Sequence, residues 1–383
     1  MTLNVTSMQG VIWSGNPLQV NVSTLPVPQI IDPTDAIVKV SLSAICSADI
    51  RTYNGAYEEK EVPWVMGHEA LGIVVEVGDS VTSFAVGDKV VVPDQVSGGL
   101  FDLSTAELMG LGLGVNYYAT TGCQAEYVRV PSANDNLFLV PQNSDAPSNP
   151  PPQNLDYDYL LASSIFAMGW EALDLAGYQP GDSVAVFGAG PIGLMAVYSA
   201  VLRGASRVFL IDGDRQTLSV AEGLGAMPID LVHSDPVAKI LRQVPDGATR
   251  SVDCVGIEAA NRLQLTEDKI LQNMMEITKV GGGIGRVGTY QDPGNRSYTL
   301  RWQDLLPTFQ FVMSGFFKQG PPVRSGAIDA TLAAPKLMEM ISKGEAKPSF
   351  ILSSIIGLEE VSQFYERASQ RLETKVVIKF PSP

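Results

Sequence analysis

The feature that most constrains the fold is a glycine pattern in the middle of the chain. The apolar run "VAVFGAGPIG" carries Gly188, Gly190 and Gly193 in the spacing G-x-G-x-x-G, and Asp212 closes the next apolar run 19 residues after Gly193. Glycines so spaced allow a tight turn, a close approach of a phosphate to the backbone, and close packing of a helix on a strand. The pattern predicts a Rossmann turn, and with it a doubly wound parallel sheet.

The same segment predicts which cofactor binds. The helix that follows the glycines would offer free N–H groups and the positive end of its dipole to a pyrophosphate. The Asp212 carboxylate would accept hydrogen bonds from ribose hydroxyls and repel a 2′-phosphate, so NAD is favoured over NADP; Arg215 is the nearby residue that could meet a 2′-phosphate. The predicted cofactor-binding residues here are Gly188, Ala189, Gly190, Pro191, Ile192, Gly193, Asp212 and Arg215.

Strand and helix patterns divide the 383 residues into three segments. Residues 1–164 contain short β-rich runs separated by Gly, Pro and Asp turns, as in an irregular β-domain. In residues 165–318, apolar strands alternate with helical patterns, which predicts parallel strands joined by crossover helices. Residues 319–383 are mixed again. The predicted fold class is α/β, with two domains rather than one.

Charge and cysteine content limit the partners and the compartment. A formal net charge of -15 argues against nucleic acid or an anionic membrane as the partner, so a small-molecule substrate is expected. The N-terminal stretch has no basic region followed by a long apolar run, so we expect no signal peptide. Cys46, Cys123 and Cys254 lie far apart, which favours a reducing, cytoplasmic setting without disulfides. Cys123 and Cys254 are interpreted as core residues.

Two longer motifs carry a family resemblance. The stretch "GHEALGIVVEVGDSVTSFAVGDKVVV" resembles the signature of the zinc-type medium-chain dehydrogenase/reductases, the alcohol dehydrogenase family. The stretch "GCQAEYVRVPSANDNLFLVP" resembles, more narrowly, the glutathione-independent formaldehyde dehydrogenase branch. The resemblance covers residues 36–380.

The resemblance implies both an architecture and an assembly. Residues 1–164 and 319–383 would form a GroES-like β-barrel catalytic domain, and residues 165–318 a Rossmann NAD-binding domain, with the active site in the cleft. A homodimer or homotetramer would form through the Rossmann domains, for which "QFVMSGFF" (310–317) is a candidate. The strand-end loops that contact the nicotinamide would hold Val255, Gly256, Val287 and Gly288.

The metal positions of this family are only partly kept. Cys46 and His68 match the first two zinc ligands and Glu69 the acid beside them, but the third ligand position falls on Ser164. A serine hydroxyl is a poor zinc ligand. The usual hydroxyl residue two positions after the cysteine is Ala48. The lobe "PDQVSGGLFDLSTAELMGLGLG" has no cysteine, so we expect no structural zinc.

Two interpretations of the metal site remain open. In the first, Cys46, His68 and Glu69 hold a catalytic zinc, with water or substrate as the fourth ligand. The thiolate and the carboxylate would neutralise the dication, and water, the substrate, Tyr53 or Tyr57 would take the proton. In the second, the metal is lost and hydride passes to an already activated double bond or iminium ion.

The predicted function is an NAD(H)-dependent oxidoreductase that transfers hydride to or from an organic alcohol, aldehyde or activated C=C or C=N bond. The alternative is a non-redox isomerase or cyclase, or a cofactor-binding protein without turnover, on the same scaffold. The candidate catalytic residues are Cys46, His68, Glu69 and Ser164. Formaldehyde itself is not expected, because Ser164 and Ala48 replace groups that its oxidation requires. Trp64, Met168 and Trp170 are candidates for a large apolar substrate cavity or for plain core.

Overall fold

The structure is a computed structural model, in which two compact units are distinguished. One comprises Met1–Ser164 together with Asp329–Pro383, and the other Ile165–Ile328. The predicted domain limit at 318 and 319 lies outside the described residues, and the domain limits stay a prediction. The described residues are 5–55, 62–96, 109–113, 122–141, 155–256, 263, 266–288, 321–325 and 330–381.

The strands and helices follow the apolar runs of the sequence. The strands are β1 (Ser7–Trp13), β2 (Asn21–Pro26), β3 (Ala36–Ile45), β4 (Trp64–Val65), β5 (Ala70–Val77), β6 (Lys89–Val92), β7 (Gln95–Val96), β8 (Met109–Gly110), β9 (Tyr127–Val130), β10 (Phe138–Leu139), β11 (Ser183–Phe187), β12 (Arg207–Asp212), β13 (Met227–Asp230), β14 (Ala248–Asp253), β15 (Thr278–Arg286), β16 (Val323–Ser325), β17 (Ser354–Ile356) and β18 (Val376–Lys379). The α-helices span Ser47–Tyr53, Ala133–Asn136, Asp156–Leu161, Ile165–Leu175, Pro191–Leu202, Arg215–Gly223, Pro236–Gln243, Glu267–Ile277, Ala330–Ser342 and Val361–Ser369, and 3-10 turns span Pro348–Ile351 and Leu358–Glu360.

The first unit is organised around strand β3. Within the described residues its main sheet has the order β10-β6-β5-β3-β18-β17, and β9 also pairs with β3. Most side chains of "AIVKVSLSAI" are buried, as expected of a strand that packs on both faces. Strand β18 lies antiparallel to β3 with Val376 opposite Ile45. This register places the residue before β18, Lys375, next to the turn where Cys46 follows β3.

The second unit is a parallel sheet with helices between successive strands. Over the described part of the chain its strand order is β13-β12-β11-β14-β15-β16, and each neighbouring pair is parallel. All five side chains of "SVAVF" in β11 are buried, as is usual for a central strand of such a sheet. Strand order reverses between β11 and β14, where ligands of open α/β sheets bind. The predicted doubly wound fold class is confirmed.

The longest apolar run of the chain has a simple place in this fold. Residues 183–202 form strand β11, a glycine turn and the helix Pro191–Leu202. Among the described residues, no helix is both long enough and apolar enough to cross a membrane.

Candidate active site

The glycine turn after β11 has the geometry that its sequence predicts. Gly188 has φ +95°, and a Cβ on it would lie 2.8 Å from the Cys254 carbonyl oxygen. A Cβ on Gly193 would lie 1.8 Å from the Gly188 carbonyl oxygen, so helix and turn pack with no room for a side chain. A Cβ on Gly190 would meet no described atom within 4 Å. The turn is therefore closed toward the protein and open at Gly190, which fits a phosphate approaching the backbone.

Asp212 ties this turn to the end of the neighbouring strand β12. It is 4% exposed, and its Oδ2 accepts a hydrogen bond from the Ala189 N–H at 2.7 Å. Its Oδ1 accepts from the N–H groups of Gly213 and Asp214 at 2.7 and 2.9 Å. The carboxylate thus orients the turn as well as standing at the predicted ribose position. The exposed Arg215 side chain lies 3.4 Å from Asp230.

The other predicted cofactor loops end at the same edge of the sheet. Val255 and Gly256 follow β14, and Val287 and Gly288 follow β15. Asp253 Oδ1 accepts from the Val255 N–H at 3.0 Å, and the Asp253 carbonyl accepts from the Val287 N–H at 2.9 Å. The sequence-predicted cofactor residues of this unit are therefore brought together at the carboxyl ends of β11, β12, β14 and β15.

The candidate metal ligands meet in the first unit. Cys46 lies between β3 and the helix Ser47–Tyr53, and His68 and Glu69 lie between β4 and β5. One ligand atom from each of the three residues lies within 4.8 Å of the other two. Zinc bound tetrahedrally holds its ligand atoms about 3.3–3.8 Å apart, so a small contraction would close the set. A thiolate, an imidazole and a carboxylate are donors that suit zinc.

One buried carboxylate orients the first two of these ligands. Asp49 Oδ2 accepts from the Cys46 N–H at 2.8 Å, and Asp49 Oδ1 lies 3.3 Å from His68 Nδ1. The Oδ1 to Nδ1 approach is an ion-pair distance but not a well-directed hydrogen bond, since neither atom has a hydrogen-bond partner among the described residues. Burial lowers the pKa of His68, but Asp49 and Cys46 outweigh it and hold that pKa well above its usual value.

A second layer of buried polar groups holds Asp49 in turn. Gln124 Nε2 donates to the Ala44 carbonyl at 3.0 Å and to Asp49 Oδ2 at 3.4 Å, while the Tyr365 hydroxyl donates to Gln124 Oε1 at 2.8 Å. Gly67, just before His68, has φ +91°, and a Cβ there would lie 2.4 Å from Gln124 Cγ. The backbone that presents His68 is therefore fixed by a close approach that only glycine permits.

Glu69 is already engaged by a lysine that the sequence reading missed. Lys375 Nζ donates to Glu69 Oε1 at 2.5 Å, and both side chains are fully buried. Burial lowers the pKa of Lys375, but the neighbouring Cys46 and Glu69 raise it by more. The net effect holds this pKa above its usual value, so the ammonium stays charged. Ser163 Oγ lies 3.5 Å from Glu69 Oε2. Glu69 was expected to neutralise part of the charge of a bound zinc ion. Because Lys375 already neutralises Glu69, this carboxylate adds no net negative charge to the site.

Ser164, at the third ligand position of the resemblance, is hydrogen-bonded to a second carboxylate that the sequence reading also missed. Its Oγ donates to Asp94 Oδ2 at 3.2 Å, and the Asp94 N–H donates to the Ser163 carbonyl at 3.1 Å. Asp94 is 8% exposed. Burial raises the pKa of Asp94 to about 6, against an opposing effect of His68. Its only signal in the sequence is its place just after the strand "KVVV".

Three of the remaining predicted residues, Tyr53, Cys123 and Cys254, are buried in the protein interior. Tyr53 is buried with its ring centroid 5.4 Å from that of Tyr365, and burial raises its pKa. Cys123 and Cys254 are both buried, and burial raises both thiol pKa values, which fits core residues. Tyr57 lies outside the described residues. So do 310–317 and most of the cysteine-free lobe, where the absence of a structural zinc stays a prediction.

The aromatic candidates for a substrate cavity pack as core. Trp64 is 2% exposed, lies 4.6 Å from Trp13 between ring centroids, and donates its Nε1–H to the Gly112 carbonyl at 3.2 Å. Trp170 is 5% exposed, with the Arg203 guanidinium 4.5 Å from its ring centroid. Met168 lies in the same helix as Trp170 and is partly buried.

Comparison with known proteins places this geometry in a family. The GroES-like domain of alcohol dehydrogenases matches residues 32–142, and the zinc-binding dehydrogenase domain matches residues 191–330. The glutathione-independent formaldehyde dehydrogenase of Pseudomonas aeruginosa is 33% identical over 315 residues, which are 75% of this chain and 76% of that protein. The chain belongs to the zinc-type alcohol dehydrogenase family.

Two further proteins are similar to this chain over a large part of its length. The medium chain reductase/dehydrogenase UcsI of an Acremonium species is 31% identical over 300 residues, which are 75% of this chain and 96% of that protein. The alcohol dehydrogenase TADH of Thermus sp. ATN1 superposes with a TM-score of 0.81 at 29% identity, covering 97% of this chain and 99% of that one. The expected enzyme class, an alcohol dehydrogenase-like oxidoreductase, is confirmed, with NAD or NADP as its cofactor.

Proposed function

We propose that this protein transfers hydride between NAD and a small organic alcohol or its carbonyl product, with a zinc ion in the first unit. The observation that carries the proposal is the meeting of Cys46, His68 and Glu69 within 4.8 Å in a chain that also builds a complete glycine turn for a dinucleotide. The thiol follows strand β3 and the imidazole precedes strand β5, and the buried Asp49 contacts both residues.

Each group has a distinct task in this proposal. Zinc, when bound, would lower the pKa of the substrate hydroxyl and polarise the carbonyl product. Cys46 and His68 would hold the ion, with a carboxylate completing the protein ligands. The open space at Gly190 would seat the pyrophosphate, and Asp212, which repels a 2′-phosphate, favours NAD over NADP. Val255, Gly256, Val287 and Gly288 would border the nicotinamide.

A second candidate, hydride transfer without a metal to an activated C=C or C=N bond, is favoured by two observations. Ser164 replaces a ligand by a neutral hydroxyl, and Lys375 occupies one oxygen of Glu69. A conjugated carbonyl or an iminium ion is already electrophilic and needs no Lewis acid. The two candidates differ in metal content and in the substrate class that oxidises or reduces the cofactor.

The test measures zinc per chain by plasma mass spectrometry on untagged protein, together with NADH formation from alcohols and NADH consumption with enones. We expect about one zinc per chain, its loss in a Cys46→Ala variant, and alcohol-dependent NADH formation that disappears with it. A zinc-free protein that reduces enones would refute the metal-dependent function and support the second candidate. NADH binding without turnover on either class would refute both.

We further propose a cytoplasmic homodimer or homotetramer with domain limits 1–164, 165–318 and 319–383. Free thiols at Cys46, Cys123 and Cys254 support a reducing compartment. The family resemblance supports association through the Rossmann domain. Light scattering on the purified protein distinguishes a dimer from a tetramer, and a monomer would contradict the assembly.

A further inference from the structure

The proposed metal centre needs a third protein ligand with a negative charge, and the charge of Glu69 is already neutralised. Its Oε1 is held by the buried Lys375 ammonium at 2.5 Å, across 306 residues of sequence. Turning Glu69 toward a cation would leave that ammonium buried and unpaired, which is a costly arrangement. Because Lys375 balances Glu69, the Cys46 thiolate alone would face a divalent ion.

Asp94 is a buried carboxylate with an unused oxygen in the same charge cluster. Its Oδ2 accepts from Ser164 Oγ at 3.2 Å, and its backbone N–H is fixed to the Ser163 carbonyl at 3.1 Å. Its Oδ1 has no hydrogen-bond partner among the residues that the structure describes. A buried carboxylate oxygen without a donor is unusual and points to a missing cation, water or ligand group.

The charges that act on Asp94 belong to the candidate metal site. The pKa of this carboxyl is raised first by burial, lowered by His68, raised by Glu69 and lowered by Lys375. Ser163 also links the two carboxylates directly, because its carbonyl accepts from the Asp94 N–H at 3.1 Å and its Oγ donates to Glu69 Oε2 at 3.5 Å. The residue that holds Asp94, Ser164, stands where the family resemblance places the third ligand.

We propose that Asp94 is the third protein ligand of the metal centre, binding the ion through Oδ1 while Ser164 Oγ holds Oδ2. In the family pattern the third ligand comes from the position of Ser164. In this chain the carboxylate ligand would come from position 94, and Ser164 would donate the hydrogen bond that orients it. Metal-bound carboxylates commonly accept such outer hydrogen bonds. Cys46 and Asp94 then balance the dication, and Glu69 and Lys375 balance each other. The proposal deepens the zinc-dependent function and rests on it.

The geometry sets one requirement. The set of ligand atoms within 4.8 Å comprises Cys46, His68 and Glu69, and Asp94 is not among them. The Asp94 side chain must therefore move toward the ion when it binds.

The test measures Zn²⁺ and Co²⁺ affinity of the chelator-treated full chain by competition with a chromophoric chelator, at about pH 7.5 where a carboxylate of pKa near 6 is ionised. We expect Asp94→Asn to weaken Zn²⁺ binding at least about tenfold and to change the visible absorption of bound Co²⁺. A Ser164→Asp substitution added to Asp94→Asn should restore affinity, because it returns a carboxylate to the family's ligand position.

A matched control is Asp158→Asn. Asp158 is another buried aspartate of the same unit, 5% exposed, whose Oδ1 accepts from the Ser349 N–H at 2.7 Å. This variant should bind Zn²⁺ like the wild type, and thermal unfolding checks that every variant is folded. Glu69→Gln should weaken binding less than Asp94→Asn does.

Several results would overturn the proposal. One is that the wild-type protein binds neither Zn²⁺ nor Co²⁺. Another is that Asp94→Asn leaves both the Zn²⁺ affinity and the absorption spectrum of bound Co²⁺ unchanged. A larger loss in Glu69→Gln than in Asp94→Asn would assign the ligand to Glu69 instead. Metal binding needs no turnover, so its failure is distinguishable from failure of the proposed function. A protein that binds Zn²⁺ through Asp94 but oxidises no alcohol would contradict the proposed function alone.

Discussion

Replacing Asp94 by asparagine should stabilise the metal-free protein at neutral pH. The carboxyl is 8% exposed, and its pKa is raised from 3.8 to about 6, chiefly by burial. The folded protein therefore holds this proton more tightly than the unfolded chain, so the free energy of unfolding falls as pH rises from 3.8 toward 6. A shift of about 2 pKa units corresponds to roughly 3 kcal/mol lost at neutral pH. Asparagine has the same shape and cannot ionise.

The pH dependence separates this effect from repacking. From the two pKa values, the stability advantage of Asp94→Asn over the wild type should grow by about 1 kcal/mol between about pH 5 and about pH 7.5. Urea unfolding of chelator-treated protein at both pH values measures it. Near-ultraviolet circular dichroism of the Trp13 and Trp64 pair, 4.6 Å apart between ring centroids, reports the first unit. A control variant, Asp79→Asn, changes an exposed carboxylate of that unit and should leave the curves unchanged.

Two results would refute the reasoning. One is an Asp94→Asn variant that is less stable than the wild type at both pH values. The other is a difference that does not change with pH. Saturating Zn²⁺ should reverse the order of stability, because the wild type then gains the binding free energy that Asp94 contributes.

Three further changes test other parts of the molecule. Gly193→Ala puts a Cβ 1.8 Å from the Gly188 carbonyl oxygen and should weaken NADH binding at least about tenfold in a fluorescence titration; unchanged affinity would contradict the turn geometry. Lys375→Met leaves the Glu69 carboxylate buried and alone and should cost roughly 3–5 kcal/mol of unfolding free energy, most of it recovered on adding Glu69→Gln; additive losses in urea unfolding would argue against the pair. Asp212→Asn removes the carboxylate from the proposed ribose-binding position and should raise kcat/KM with NADP relative to NAD by about tenfold, whereas an unchanged ratio would contradict the proposed role of Asp212.

The parts of the fold that were predictable from sequence are those with local causes. Strand β11, the turn Gly188–Gly193 and the following helix are contiguous, and two local causes lie within this segment: the positive φ of Gly188 and the 1.8 Å approach of a Gly193 Cβ to the Gly188 carbonyl oxygen. The alternation of strand and helix in the second unit then determines parallel pairing. Cys46, His68 and Glu69 were predicted from motifs, and their ligand atoms lie within 4.8 Å of one another.

The partners of these residues depend on distant segments and were not predicted. Lys375 reaches Glu69 because β18 lies beside β3 in one register, a pairing that no local pattern specifies. Asp94 meets Ser164 across 70 residues, and nothing in "VVVPD" distinguishes this aspartate from a turn residue. The net charge of a buried site depends on all such distant contacts. The motif around Glu69 therefore could not show that Lys375 neutralises this carboxylate.

The pairing of β18 with β3 also determines the order in which the two units can complete their folding during translation. The second unit is one continuous stretch, Ile165–Ile328, and can fold as soon as it leaves the ribosome. The first unit cannot, because Glu69 has no counter-ion until Lys375 is synthesised and the strand after it is added beside β3. The nascent chain must therefore carry the acidic Glu69 side chain without its counter-ion until nearly all of its residues have been made.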